Sequence, residues 1–273
     1  MQIVSSGVTD VGRVRTNNED SFRIVEPLNL FILSDGMGGE AHGEIASSMA
    51  VETVEKYCSG PRESIENSGA RLSSTASNNW MPQTKLLQKA VLQANLNIYQ
   101  SAQEHPEQRG MGATLTAGWI NENKLSVAHV GDSRAYLLRT GSLQQLTNDH
   151  SLVAEQVRRG ILTPQQAEES EMQSVLLRAL GANPEVEVEI DEFGLMPRDV
   201  LLFCSDGLTR MVTEPEIAGS LQAETDTLSS AQKLIGLANE RGGLDNVTVI
   251  VARVQDETKG WFSWLRRDTD KKG

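Results

Sequence analysis

The 273-residue sequence predicts an α+β fold of mainly antiparallel β-sheets with α-helices packed outside them. Three observations predict it. Short β-rich runs bounded by Gly, Asp or Asn recur along the chain, several apolar on nearly every residue, as in strands covered on both faces. Helical periodicity is confined to a few separate segments. The strands between Thr114 and Leu146 follow one another as hairpins with no helix between them, which argues against a doubly wound parallel sheet.

In chain order, Asn17-Asn18-Glu19-Asp20 leads into a short β-rich run, and Leu28–Ser34 is the next strand. From Ile45, the residues Ala46, Met49, Ala50, Val54 and Tyr57 mark one buried helical face. Ser59 to Asn79, rich in Ser, Asn and Gly, reads as a solvated connection. Leu86 opens a second helix through Leu87, Ala90, Val91, Ala94 and Ile98. Strands follow at Thr114–Ile120, Leu125–Val130 and Ala135–Arg139. Residues 149–181 are polar and helix-prone, with Thr163-Pro164 as a helix start, and read as an insertion laid over the core. Val200–Cys204 and Val247–Val254 are the last strands, separated by a helix carrying Ala231, Leu234, Ile235 and Ala238.

The balance of 25 Lys+Arg against 37 Asp+Glu gives a net charge of −12, which argues against a nucleic-acid binder, since phosphate contacts need clustered basic charge. Two cysteines, Cys58 and Cys204, are too few for a disulfide framework, and a reducing, cytoplasmic setting is expected. Residues 1–7 have neither the basic nor the apolar region of a signal peptide, and no stretch approaches the roughly 20 apolar residues that span a bilayer.

The acids at strand ends are the informative feature. Leu30-Phe31-Ile32-Leu33 runs into Ser34-Asp35-Gly36, and Leu201-Leu202-Phe203-Cys204 into Ser205-Asp206-Gly207. Leu125–Val130 ends at Gly131-Asp132-Ser133, Asp245-Asn246 precedes the last strand, and Glu19-Asp20 precedes the first. Each alone reads as a turn, where Asp-Gly is common. Five on strands sharing one core point to convergence, and converging carboxylates need a cation to offset their repulsion. An all-oxygen set suits Mg²⁺ or Mn²⁺, and no His/Cys spacing suits zinc.

Thr9-Asp10-x-Gly12, Arg15-Thr16-Asn17-Asn18-Glu19-Asp20, Asp35-Gly36-Met37-Gly38-Gly39, Gly110-Met111-Gly112-Ala113-Thr114, Gly131-Asp132-Ser133-Arg134, Cys204-Ser205-Asp206-Gly207 and Gly243-Leu244-Asp245-Asn246 occur in this order. The series resembles the metal-dependent protein phosphatases of the 2C type, in their compact bacterial form, over nearly the whole of residues 2–254. The resemblance implies one domain over residues 1–254. Its fold would be two antiparallel sheets packed as a central sandwich between helical layers, αββα, with a flap at about 149–181. It implies hydrolysis of phosphoserine and phosphothreonine on proteins, the products of Ser/Thr kinases, by a water bridging two divalent ions. Asp35 would bridge those ions, with the Gly36 carbonyl on one. Asp206 and Asp245 would hold the other, and Asp20 and Glu19 would act mostly through water. Asp132 with Asp206 would hold a weaker third ion. Arg15 would grip the substrate phosphate, which its planar fork suits. Where eukaryotic relatives carry a histidine after Asp-Gly, this chain has Met37, so the resemblance supplies no acid for the leaving oxygen. His42, His129 and His150 receive no role.

Two rival readings remain. Cys204-Ser205-Asp206-Gly207-Leu208-Thr209-Arg210 fits Cys-x-x-Gly-x-x-Arg, the phosphate loop of cysteine-dependent phosphatases. That chemistry needs a low-pKa thiolate, which Asp206 and an apolar strand end disfavour. A catalytically inactive phosphoprotein-binding relative would lack acids that are all present here. Beyond residue 254, Trp261-Phe262-Ser263-Trp264-Leu265-Arg266-Arg267 forms a tail whose tryptophans and arginines suit contact with a partner or a membrane surface.

Overall fold

The computed structural model describes residues 1–38, 42–60 and 80–255. The tail with its two tryptophans and most of the Ser59–Asn79 connection lie outside the described residues. Eleven strands occur among the described residues: β1 (Gln2–Asp10), β2 (Asp20–Val25), β3 (Leu30–Met37), β4 (Gly112–Ala113), β5 (Leu115–Asn121), β6 (Lys124–Val130), β7 (Arg134–Arg139), β8 (Ser142–Gln145), β9 (Glu189–Gly194), β10 (Val200–Cys204) and β11 (Val247–Gln255). One sheet has the order β1-β11-β10-β7-β8 and the other β2-β3-β5-β6-β9, with β4 on β3. Every pair is antiparallel.

Side-chain alternation explains why these strands are apolar throughout. In β3, Phe31 and Leu33 enter the core between the sheets, while Leu30 and Ile32 face the helices α1 (His42–Ser59) and α2 (Pro82–Glu104). In β10, Leu201 and Phe203 point inward and Val200, Leu202 and Cys204 outward. The outward set meets α5 (Asp206–Thr209), α6 (Glu214–Ala223) and α7 (Thr227–Glu240). Each strand therefore serves two apolar cores. The layers run helix, sheet, sheet, helix. Phe31 and Phe203 stack across the sandwich at a centroid distance of 5.7 Å, and Phe203 fits only because position 118 is glycine: a Cβ there would lie 2.3 Å from its ring.

The hairpin expectation holds at two turns and fails at the one between them. β5 and β6 are joined through Glu122 (φ 55°), and β7 and β8 through Thr140 (φ 48°) and Gly141 (φ 89°). β6 and β7, however, belong to different sheets. Gly131 (φ 112°), Asp132 and Ser133 carry the chain across the end of the sandwich. A Cβ on Gly131 would lie 2.6 Å from the Thr114 side chain, so the crossing depends on glycine. Elements that went unread in the sequence include β1, paired with β11 over nine residues, β9 and α6.

The insertion at 149–181 contains α3 (Leu152–Arg158) and α4 (Pro164–Glu168), the latter started by a capping box of Thr163 and Gln166. Its base is pinned: His150 N donates to Gly131 O (2.7 Å), Leu177 N to His150 O (2.7 Å) and Leu180 N to Ala113 O (2.8 Å). No helix among the described residues is long and apolar enough to cross a membrane.

Candidate metal and phosphate site

Antiparallel pairing gathers the acids. β3, β6 and β10 end where β2 and β11 begin, so Asp35, Asp132, Asp206, Asp20 and Asp245 lie at one edge of the sandwich. Asp20 is in direct register with Asp35. Ser205 Oγ and Thr248 Oγ1 both donate to Asp20 Oδ2 (2.7 Å each), tying the β2 acid to the opposite sheet. Asp35 is fixed by its backbone: Asp35 N donates to Thr114 Oγ1 (2.9 Å) and Thr114 N to Asp35 O (2.8 Å). Gly36 N donates to Glu19 O (3.1 Å), and a Cβ on Gly36 would lie 2.0 Å from Gly43 O. Only glycine admits this approach of the Glu19 loop and the start of α1 to β3.

Burial and mutual repulsion decide the protonation of these groups. Burial pushes the Asp20 carboxyl up to about 7, against the two hydroxyl hydrogen bonds. Asp35 is raised well above the usual range, first by burial and then by Asp20, Asp206, Asp132 and Asp245. Asp132 is pushed up to about 8 by burial, with Asp206 adding repulsion. Asp206 is raised by burial, partly offset by Arg210. Four carboxylates thus resist ionisation together unless a cation joins them.

In this structure arginines supply part of that charge, at Asp206 and Asp245. Arg15 Nη2 lies 2.9 Å from Asp245 Oδ2, Arg210 Nη2 lies 2.5 Å from Asp206 Oδ2, and Arg210 Nη1 is 3.7 Å from Asp245 Oδ2. Arg15 is about half exposed, with its head open to solvent at the rim. Among the described residues, no group of three or more His, Cys, Asp or Glu side chains is gathered tightly enough to ligate one ion unaided. The residues nevertheless fit divalent cations. Asp20 Oδ1 and Asp206 Oδ1 are buried without any hydrogen-bond partner, and every donor in the set is oxygen. Mg²⁺ is commonly held by one or two carboxylates and several waters, so a tight cage is not required.

Sequence reasoning missed the residues that brace this edge. Asn246 Oδ1 accepts from Glu19 N (2.8 Å), and its Nδ2 donates to Val11 O (3.0 Å) and Asn17 O (2.8 Å), so one buried amide holds the loop that carries Arg15. His150 Nδ1 accepts from Gly131 N (3.1 Å), fixing the crossing beside Asp132 to the base of the insertion. His129, packed 4.8 Å from His150, is driven down to about 4 by burial and then by His150, and so stays neutral. None of these partnerships leaves a spacing signal. Met37 lies in β3 opposite Gly112 and brings no proton donor.

The cysteine reading fails here. Cys204 is fully buried in the apolar core beneath the helices, and burial pushes its thiol up to about 12. Arg210, the last residue of that apparent motif, pairs with Asp206.

The comparisons agree with this fold. The sequence model of a family described as Protein phosphatase 2C matches residues 12–241. The serine/threonine phosphatase stp of Listeria welshimeri is 36% identical over 255 residues, 92% of this chain and 96% of that protein. The crystal structure of the Mycobacterium tuberculosis serine/threonine phosphatase PstP/Ppp superposes with a TM-score of 0.81 at 35% identity, covering 93% of this chain and 99% of that one. The catalytic domain of PstP in complex with two manganese ions gives 0.79 at 36% identity, with 93% and 99% covered. A family match over residues 12–241, with relatives about a third identical over most of the length, establishes that this chain belongs to the protein phosphatase 2C family.

Proposed function

We infer that this protein is a serine/threonine protein phosphatase that hydrolyses phosphoserine and phosphothreonine on proteins and depends on divalent cations. The observation that carries the reading is the set of five strand-edge acids, four of them raised in pKa by burial and then by one another, bordered by an exposed arginine. Family membership and the manganese-bound relative support it.

In this reading Asp35, the Gly36 carbonyl, Asp206 and Asp245 hold two Mg²⁺ or Mn²⁺ ions, with Asp20 and Glu19 acting through water. Such ions supply a water acidic enough to lose its proton near neutral pH and positive charge against the phosphoryl oxygens. Arg15 orients the substrate phosphate from the rim, where its two-pronged head can meet two oxygens at once. Ser205 and Thr248 keep Asp20 turned into the site, and Asn246 keeps Glu19 and Arg15 over it. A third ion on Asp132 would have to share Asp206 with Arg210. The substrates are products of Ser/Thr kinases and the setting is cytoplasmic, in keeping with two free, buried thiols.

Activity on a phosphothreonine peptide is the test. Turnover should vanish in chelator, return with Mn²⁺ or Mg²⁺, and survive in Cys204→Ser. Full activity in chelator, or a folded but inactive Cys204→Ser, would sink the metal reading. Arg15→Ala should raise KM roughly 10- to 100-fold, the worth of a charge-assisted hydrogen bond, and change the metal requirement far less. Arg15→Lys should recover only part of the loss, because a point charge lacks the paired geometry. Unchanged kinetics in both variants would make Arg15 a solvated loop residue.

A further inference from the structure

Arg210 is the feature of the site that neither the sequence motifs nor the proposed mechanism absorbs. It caps α5 one turn after Asp206, and its own backbone N donates to Asp206 O (2.9 Å), so its root is fixed beside that acid. Its guanidinium reaches Asp206 Oδ2 at 2.5 Å and Asp245 Oδ2 at 3.7 Å, and its side chain is only 27% exposed. One side-chain cation thus engages Asp206 and Asp245, and Asp206 is one of the two acids that a third ion would need.

We propose that the Arg210 guanidinium is a resident cation standing in the place of the third ion, so that this chain binds two divalent ions and not three. The proposal rests on the reading of these acids as a cation site. A guanidinium keeps its proton at any working pH, so it cannot vacate the position by losing charge. A metal ion entering between Asp132 and Asp206 would face that full positive charge at close range, and would have to take an Asp206 oxygen already engaged. Asp206 Oδ1, buried and without a partner, remains available to the core pair.

The test is ion stoichiometry, which does not depend on catalysis. Mn²⁺ is titrated by calorimetry into the chelator-stripped full chain, with elemental analysis of the loaded protein. The wild type should take two ions. Arg210→Ala should take a third, at least tenfold weaker than the first two, and Arg210→Ala with Asp132→Ala should return to two. Arg210→Gln, which keeps length and polarity without charge, should behave like the alanine variant and answers the question if that variant does not fold. Arg210→Lys should stay at two. Three ions on the wild type, or two on both neutral variants, would overturn the proposal. No ion on the wild type would instead overturn the site reading itself.

Discussion

Asp35→Ala should lower kcat/KM for a phosphothreonine peptide by about 10³-fold or more, roughly 4 kcal/mol of transition-state stabilisation, while raising the melting temperature of the metal-free chain. Both effects come from one position. Asp35 is raised by burial and by four other acids, so its removal takes away a cation ligand and relieves repulsion that nothing in the metal-free chain fully offsets. Asp206→Ala should cost similar activity but gain less stability, because it also strips Arg210 of its 2.5 Å partner. Circular dichroism melts in chelator, set beside peptide turnover, separate the two quantities. Normal turnover in both variants would mean that the strand ends do not form one site.

The metal-free chain should also lose stability as pH rises from about 4 to about 8. Asp20 and Asp132 hold protons in the folded state up to about 7 and about 8, and Asp35 is raised as well, whereas unfolded aspartates release theirs near 4. Over that window the folded chain binds more protons than the unfolded one, so unfolding becomes easier as pH climbs. His129 acts oppositely at the acid end: held down to about 4, it takes up its proton on unfolding and erodes stability below about pH 6. Three raised acids outweigh one depressed histidine, so a net fall from about pH 4 to about pH 8, of at least about 5 °C, is expected in chelator. Saturating Mn²⁺ should shrink or reverse the fall, because ligation needs ionised carboxylates. A flat profile in chelator would show that the arginines already neutralise the cluster.

The chemistry of this protein was more legible than its topology. Strand-end acids are local in sequence and need only a shared edge to meet, and antiparallel pairing supplies it. Sheet membership is different. Ala128 and Val130 face one helical layer while Tyr136 and Leu138 face the other, yet both pairs are simply apolar at alternate positions. Period-2 patterning cannot say which sheet a doubly covered strand joins, so the crossing at Gly131-Asp132-Ser133 read as a hairpin turn. β1 was hidden by Ser5, Ser6 and Gly7, which interrupt its apolar alternation; Gly7 is small because the Phe22 ring packs on it. The helix at Glu214–Ala223 did leave a signal, the capping box of Thr213 and Glu216. Arg210 stands at an i,i+4 spacing from Asp206, but its reach to Asp245 left no signal, since that acid lies on a separate segment of chain.

The pairing of β1 with β11 decides how the enzyme can be attached to anything else. Asp10 and Val247 are partners at the edge that carries the acids, and Gln2 and Gln255 are partners at the far edge, eight residues away. At about 3.4 Å per residue that is roughly 27 Å of sheet. A tether joined at Gln2 or at Gln255 therefore departs from the pole opposite the acids and leaves the acid-bearing edge uncovered. The same neighbourhood makes the backbone close to circular: a short linker from Gln255 to Gln2, with new ends cut at the Thr140-Gly141 turn, would preserve every strand register described.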